Sequence, residues 1–234
     1  MKKILCLVTI FVLVLTLVAC GKDENSTNPQ DNANTIFSTT EKEQNENKGN
    51  KISIPDVESA PSTDPSKFEY RDVDSGIAIT NYNGNDRIVA IPESIDGKNV
   101  VAIDNNSFIN NKTMLGLKIA NSITQIGSNA FENCTSLKVF VSGTTLESIS
   151  EFAFNGCKEL SDVKLNDGLK SLGMLSFGGT NMSELYIPES VETIDMPFTA
   201  NADKTLKIIS TSGSEAENYV SLDGENFNLI FEAK

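Results

Sequence analysis

Phe108, Phe131, Phe154 and Phe177 follow one another at a constant interval of 23 residues, and Phe198 comes 21 residues after the last of them. Two further columns keep this register. Ile103, Ile126, Ile149 and Leu172 stand five places before the four phenylalanines, and Ile194 stands four before Phe198. Val100, Ile123, Leu146, Leu169 and Val191 lie three places earlier again. Apolar residues recurring at a fixed period of roughly 20–30 residues mark a solenoid, in which each coil buries its apolar side only against its neighbours.

Met114, Leu137, Leu160 and Met182 open successive units. The third and fifth places after this opening supply inward candidates: Leu117 and Ile119, Phe140 and Ser142, Val163 and Leu165, Leu185 and Ile187. An amphipathic helix repeats its apolar residues every three or four positions, whereas these stretches alternate briefly and end at Gly, Asn, Asp or Pro, the pattern of short strands joined by turns. The expected fold is therefore a mainly β repeat solenoid with short helical or 3-10 turns.

The units NSITQIGSNAFENCTSL, TTLESISEFAFNGCKEL and DGLKSLGMLSFGGTNM resemble the leucine-rich repeats of BspA-type bacterial surface proteins, with their Ile-Gly-x-x-Ala-Phe-x-x-Cys-x-x-Leu pattern. The resemblance covers about residues 70–234 and implies a right-handed coil. The sequence departs from the pattern at Met174-Leu175-Ser176, at Thr180 where Cys is expected, and in the shortened unit around Pro197. At one end, alternating segments on either side of Asn83-Gly84, a pair that favours positive φ, predict a β-hairpin cap. At the other, Ser214 and Glu217 form a capping-box pattern ahead of Ala216, Tyr219 and Val220 at helical spacing, and a last strand is expected over Asn226 to Phe231. Such a helix-strand cap is common in domains of this type.

The first twenty residues read MKKILCLVTIFVLVLTLVAC. A basic head followed by an apolar run is the pattern of a secretory signal peptide, and the run is just short of what a transmembrane anchor requires. Leu17-Val18-Ala19-Cys20 resembles the lipobox of bacterial lipoproteins, which implies cleavage after residue 19 and lipidation of Cys20. Residues 21–66 are rich in Asn, Ser, Thr, Glu and Lys and show neither helical nor strand period, the character of a disordered tether. As a flexible coil it would average about 35–40 Å end to end. The expected organisation is a signal peptide over 1–19, a lipidated cysteine and tether over 20–66, and a repeat domain with its caps over 67–234.

Composition narrows the function. The chain carries no histidine and a formal net charge of −13. Histidine-dependent triads and histidine-ligated zinc are thereby excluded, and a polyanionic nucleic acid would be repelled. No cofactor or metal site is indicated: Asp72, Asp74 and Gly76 only faintly match a calcium loop and read better as hairpin surface. Lys170, with Glu147 and Glu192 in the same column, reads as a charge ladder that supports the fold. Cys134 and Cys157 occupy equivalent places in successive coils, where two buried thiols or a disulfide are both open, the thiols being favoured because the position faces inward.

The fourth residue after each opening Leu or Met should point away from the core. This gives Lys118, Val141, Lys164 and Tyr186 as candidate ligand-binding residues, with Ala90 and Lys207 as rough equivalents in the outer coils. Aligned by repetition, they form a file on the strand face, the surface solenoids commonly use for partners. The expected function is noncatalytic binding of an extracellular protein or glycoprotein by an exported, lipid-anchored monomer. The relatives implied by the resemblance are associated with adhesion. The alternative is a structural lipoprotein that organises other envelope proteins. Nothing in the sequence predicts the two-lobed cleft of a solute receptor.

Overall fold

Apolar residues at every second position of three-residue segments, cut off by Gly, Asn and Asp, can satisfy their backbone only by pairing with the same segment one coil away. The computed structural model, which describes residues 51–199 and 204–234, is built in this way. A short helix α1 (Ile54–Glu58) and a 3-10 turn (Pro65–Lys67) lead into a hairpin of β1 (Phe68–Val73) and β2 (Gly76–Tyr82). There follow β3 (Ile88–Ala90), β4 (Ser94–Ile95) and β5 (Lys98–Ile103). Each of the next coils contributes a three-residue strand and a two-residue strand: β6 (Gly116–Lys118) and β7 (Gln125–Ile126), β8 (Val139–Val141) and β9 (Ser148–Ile149), β10 (Asp162–Lys164) and β11 (Ser171–Leu172), β12 (Glu184–Tyr186) and β13 (Thr193–Ile194). Strand β14 (Leu206–Ser210), helix α2 (Glu215–Phe227) and β15 (Leu229–Ala233) close the domain.

Strand β5 and the two-residue strands of the later coils stack in parallel, in the order β5-β7-β9-β11-β13, behind the antiparallel hairpin β1-β2, with β4 paired to β5. The three-residue strands stack as β3-β6-β8-β10, also in parallel, and β12-β14-β15 form a separate parallel ladder. Between the two faces runs one continuous core that includes all three columns read from the sequence.

At its centre the rings of Phe108, Phe131, Phe154 and Phe177 are piled one on another, with centroids 4.7, 5.0 and 5.3 Å apart. Their turns are tied from coil to coil: the N–H groups of Phe108, Phe131, Phe154 and Phe177 donate to Ala130, Ala153, Ser176 and Pro197 carbonyls, all at 2.8 Å. Tyr82 of the hairpin extends the pile, 5.3 Å from Phe108. In the shortened last unit Phe198 meets Tyr219 of α2 at 6.4 Å.

Each turn needs two left-handed residues, and these too recur at the repeat interval. One column holds Asn110, Asn133, Gly156 and Gly179, with φ between 57° and 73°. Asparagine and glycine tolerate this region at little cost. The other holds Asn106 and Asn129, then Phe152 and Leu175 at φ 57° and 51°, and Met196 at 43°. A left-handed conformation costs an ordinary L-residue about 1–2 kcal/mol. Met196 is 44% exposed and so gives up little burial if replaced. Met196→Asn is expected to raise the unfolding free energy by about 0.5–1 kcal/mol, measurable as a higher urea midpoint; a lower midpoint would show that the Met side chain contributes more than the backbone costs.

Several expectations need correction. The cap is a hairpin, but its turn lies at Asp74-Ser75, where β1 and β2 meet at Val73↔Gly76. Asn83-Gly84 instead leads from one sheet to the other. Lys67 pairs with Asp86 at 2.8 Å, and the Tyr82 hydroxyl donates to the same carboxylate. These two hydrogen bonds hold the Asp86 carboxyl below its ordinary pKa, the one from Lys67 acting most strongly. The last strand runs over Leu229–Ala233 because α2 continues through Phe227 and ends on a left-handed Asn228. The Ser214 hydroxyl accepts the Glu217 N–H as expected, whereas the Glu217 carboxylate accepts from Gly213, one residue before the cap.

The folded body also begins earlier than residue 67. Val57 of α1 is fully buried, and Thr63 exchanges hydrogen bonds with Ala90, donating its N–H to the Ala90 carbonyl at 2.8 Å and accepting the Ala90 N–H on its hydroxyl at 3.0 Å. Residues 52–66, read from the sequence as tether, therefore belong to the packed domain. Their apolar residues, Ile52, Ile54 and Val57, are few but all are used.

Candidate functional site

Strand pairing establishes which outward side chains share a file. Ala90, Lys118, Val141 and Lys164 are aligned partners across β3, β6, β8 and β10, as the repeat register predicts. The neighbouring file holds Ile88, Gly116, Val139 and Asp162. Tyr186 stands in the separate β12-β14-β15 ladder, aligned with Ile209 and Glu232. Lys207 is thus not its equivalent. It lies in the file of Glu184 and Ile230 and bridges Glu184 at 3.5 Å and Glu232 at 3.1 Å. The carboxylate of Glu232, then that of Glu184, raises the Lys207 ammonium above its ordinary pKa. The register misled because Phe198 arrives two residues early, while the strands keep the 23-residue step from Tyr186 to Ile209.

The predicted file is not a bare face. Helix α1 lies across β6, β8 and β10 and covers its middle. Val57 packs with Val139 and Val141, and Ile52, Ile54 and Ile88 close the same apolar cluster. Val141, expected to point into solvent, is for this reason only 5% exposed. Gly116 makes the fit possible: a Cβ built there would stand 2.5 Å from Val57 Cγ2 and 2.9 Å from Ile52 Cδ1. A hollow in the strand face thus receives the helix. On its far side Lys118 Nζ donates to the Glu58 carbonyl at 2.8 Å, and Lys164 forms an ion pair with the Glu58 carboxylate.

The helix itself is built from local signals. Ser53 precedes it and donates both its N–H and its hydroxyl to Asp56, at 2.9 and 2.6 Å, and Pro55 sits in its first turn. The hydroxyl, then the N–H, holds the Asp56 carboxyl below its ordinary pKa. Five residues are nevertheless too few for an isolated helix to persist in water. Its place on the strand face therefore depends on the burial of Val57 and on the contacts of Glu58 with Lys118 and Lys164.

Beyond α1 the face opens into a groove of about 600 Å³ lined by Glu58, Val141, Ser142, Lys164 and Asn166. Tyr186 is half-buried, with the Lys234 ammonium 4.3 Å from its ring centre. Of the four candidates, then, Lys118 and Val141 face the chain's own segment, Lys164 borders both segment and groove, and Tyr186 stands apart. The sequence reading missed the segment and its seat. Its signals were present as Ser53-x-Pro55-Asp56 before Val57, a helix start, and as a glycine between Ile88 and Val139.

The remaining chemistry is structural. Cys134 and Cys157 are both free thiols, fully buried, donating to the carbonyls of Phe108 and Phe131 at 3.2 Å. The neighbouring Cys134 thiol, together with burial, pushes Cys157 far above its ordinary pKa, so it stays protonated and unreactive. Asp72 pairs with Lys98 on the hairpin surface, and Lys170 meets Glu192 at 3.4 Å. Cys20 lies outside the described residues.

Residues 89–209 match the family described as the BspA type leucine rich repeat region, in six copies. No curated protein matches the chain. Two solved structures share its fold at low identity. A leucine-rich-repeat protein of T. pallidum is 21% identical, with a TM-score of 0.59, over 74% of this chain and 84% of that one. A leucine-rich-repeat protein from Bacteroides ovatus is also 21% identical, with a TM-score of 0.50, over 72% of this chain; the match spans about half, 51%, of that protein's length. With repeat, register and core in place and more than half its length matched, the chain belongs to the BspA-type leucine-rich-repeat family.

Proposed function

We propose that this protein is a noncatalytic protein-binding module, exported, anchored to the membrane by lipid at Cys20, and carried on a tether that ends where α1 begins. The observation that carries the reading is the aligned outward file on the β3-β6-β8-β10 face, which already holds a peptide segment by an apolar seat and two lysines. A surface able to hold one chain segment has the chemistry to hold another. The open end of the same face, with Lys164 and the groove beside it, offers the partner a first contact, and Tyr186 supplies an amphipathic ring farther along. The partner is an extracellular protein or glycoprotein, and adhesion is the role this arrangement serves.

The test is binding of the purified full-length chain to candidate extracellular proteins and to whole cells, compared with recovery of partners from envelope lysate. Lys164→Glu and Tyr186→Ala are expected to weaken the extracellular interaction by about tenfold each, the loss of one moderate interface contact. Unchanged binding in both variants would remove this face from the interaction, and partners found only among envelope proteins would favour a scaffolding role. Separately, Cys20→Ser is expected to release the protein from the membrane fraction; retention there would mean that the apolar N-terminus serves as the anchor.

A further inference from the structure

We infer that the strand face around Gly116 is a peptide-binding seat, occupied in cis by residues 52–58, and that an external protein partner binds it by presenting a short apolar-acidic helical segment that displaces them. The inference rests on the recognition reading above and names the partner's chemistry.

Three observations carry it. The seat is shaped: Gly116 is the one glycine in its file, a side chain there would collide with the occupant, and Ile88 and Val139 on either side form the walls. It is also charged to match. Lys118 and Lys164 reach the carbonyl and carboxylate of the same residue, Glu58, at the end of α1, so that the seat accepts an apolar anchor followed directly by an acid. Finally, the occupant is weakly held in its own right. It is five residues of helix, too short to persist unless docked, and it adds no rung to the ladders of the repeat.

The chain is fastened just beyond it, where Thr63 pairs with Ala90, and Pro61 and Pro65 flank this attachment. Segment 52–58 can therefore leave the face without unfolding β3. While docked it competes with any partner at the high effective concentration of a short link, so only a partner of matching pattern displaces it. The same competition disfavours exchange of the segment with a second copy, whose contacts would be identical but whose concentration would be lower.

The probe is a fluorescent peptide of residues 51–60, KISIPDVESA, titrated against the full-length protein and followed by anisotropy. Val57→Asp, which empties the seat from within, is expected to bind the peptide at least about tenfold more tightly than the wild type, because the internal competitor is gone. Adding Gly116→Val fills the hollow and abolishes binding. A peptide that keeps residues 52–58, with alanine in place of Lys51 and Ser59, binds as well as the parent, whereas one carrying Glu58→Lys binds weakly and recovers on Lys164→Glu protein. Circular dichroism verifies that each variant is folded; if Val57→Asp is not, Glu58→Lys protein takes its place.

Equal peptide affinity for wild type and emptied seat would overturn the inference, because the peptide would then not be competing with residues 52–58. A wild-type dimer by light scattering that the peptide dissociates would also overturn it, assigning the seat to a second copy. An extracellular partner that binds wild type and Val57→Asp alike, through Lys164 or Tyr186, would leave the recognition reading standing and sink this one alone.

Discussion

Phe154→Ala is expected to lower the unfolding free energy by about 3–5 kcal/mol, the range for deleting a buried aromatic ring. The ring is fully buried and touches three others: Phe131 at 5.0 Å, Phe177 at 5.3 Å and Phe140 at 4.6 Å. The loss falls on two coil interfaces at once, and in a repeat array neighbouring interfaces carry the stability. Urea denaturation followed by circular dichroism measures it. Phe198→Ala, at the end of the column beside Tyr219, is expected to cost less. Equal losses at the two positions would show that the column does not act through its neighbours.

A substitution of the opposite kind should do comparable harm. Gly143 follows β8 and packs against the backbone of the preceding coil at Ala120 and Asn121. A Cβ there would be driven into the Ala120 carbonyl oxygen, and would stand 2.8 Å from the Ala120 carbonyl carbon and 3.0 Å from Asn121 Cα. All of these are backbone atoms, so relief requires the coils to part. Gly143→Val is expected to cost about 3 kcal/mol, the upper end of ordinary overpacking, with a lower urea midpoint. Gly168→Ala is the control. Its added methyl meets chiefly the side-chain amide of Asn166, 2.9 Å away, which can give way at the cost of its hydrogen bonds to the Thr144 and Leu146 carbonyls, without the coils parting. Were the two substitutions equally damaging, close approach at Gly143 would not be the reason for the glycine.

The core of this fold was legible because each coil solves the same problem with the same residues. The Phe, Ile and Val columns, the alternating strands and the Asn and Gly turns could be aligned by interval alone, and stacking then places them together. What could not be read depended on contacts outside the repeat. The hairpin turn fell at Asp74-Ser75 because β2 must reach Tyr82 to join the aromatic pile. Asn83-Gly84, the stronger turn signal in isolation, marks the crossing between sheets. Residues 52–66 looked like tether because they hold few apolar residues, and composition does not show that Ile52, Ile54 and Val57 share one seat. The shared register of Ala90, Lys118, Val141 and Lys164 followed from the repeat interval, but the partial cover of their file arises from a segment far away in sequence. Lys207 was misplaced for a local reason: one residue is missing before Met182 and another between Ile194 and Phe198, while β14 still follows β12 at 23 residues.

Because every coil hands to the next the same faces it receives from the one before, the stack has no preferred length. Duplication of a 23-residue stretch in frame with Phe131 would extend the molecule by about 4.8 Å, one strand spacing, and the core columns would meet the same residue types as before. A one-residue insertion that shifted the whole of β8 in register would instead turn Val139 and Val141 inward and Phe140 outward. Evolution can therefore alter reach in whole steps while leaving the register of the core untouched.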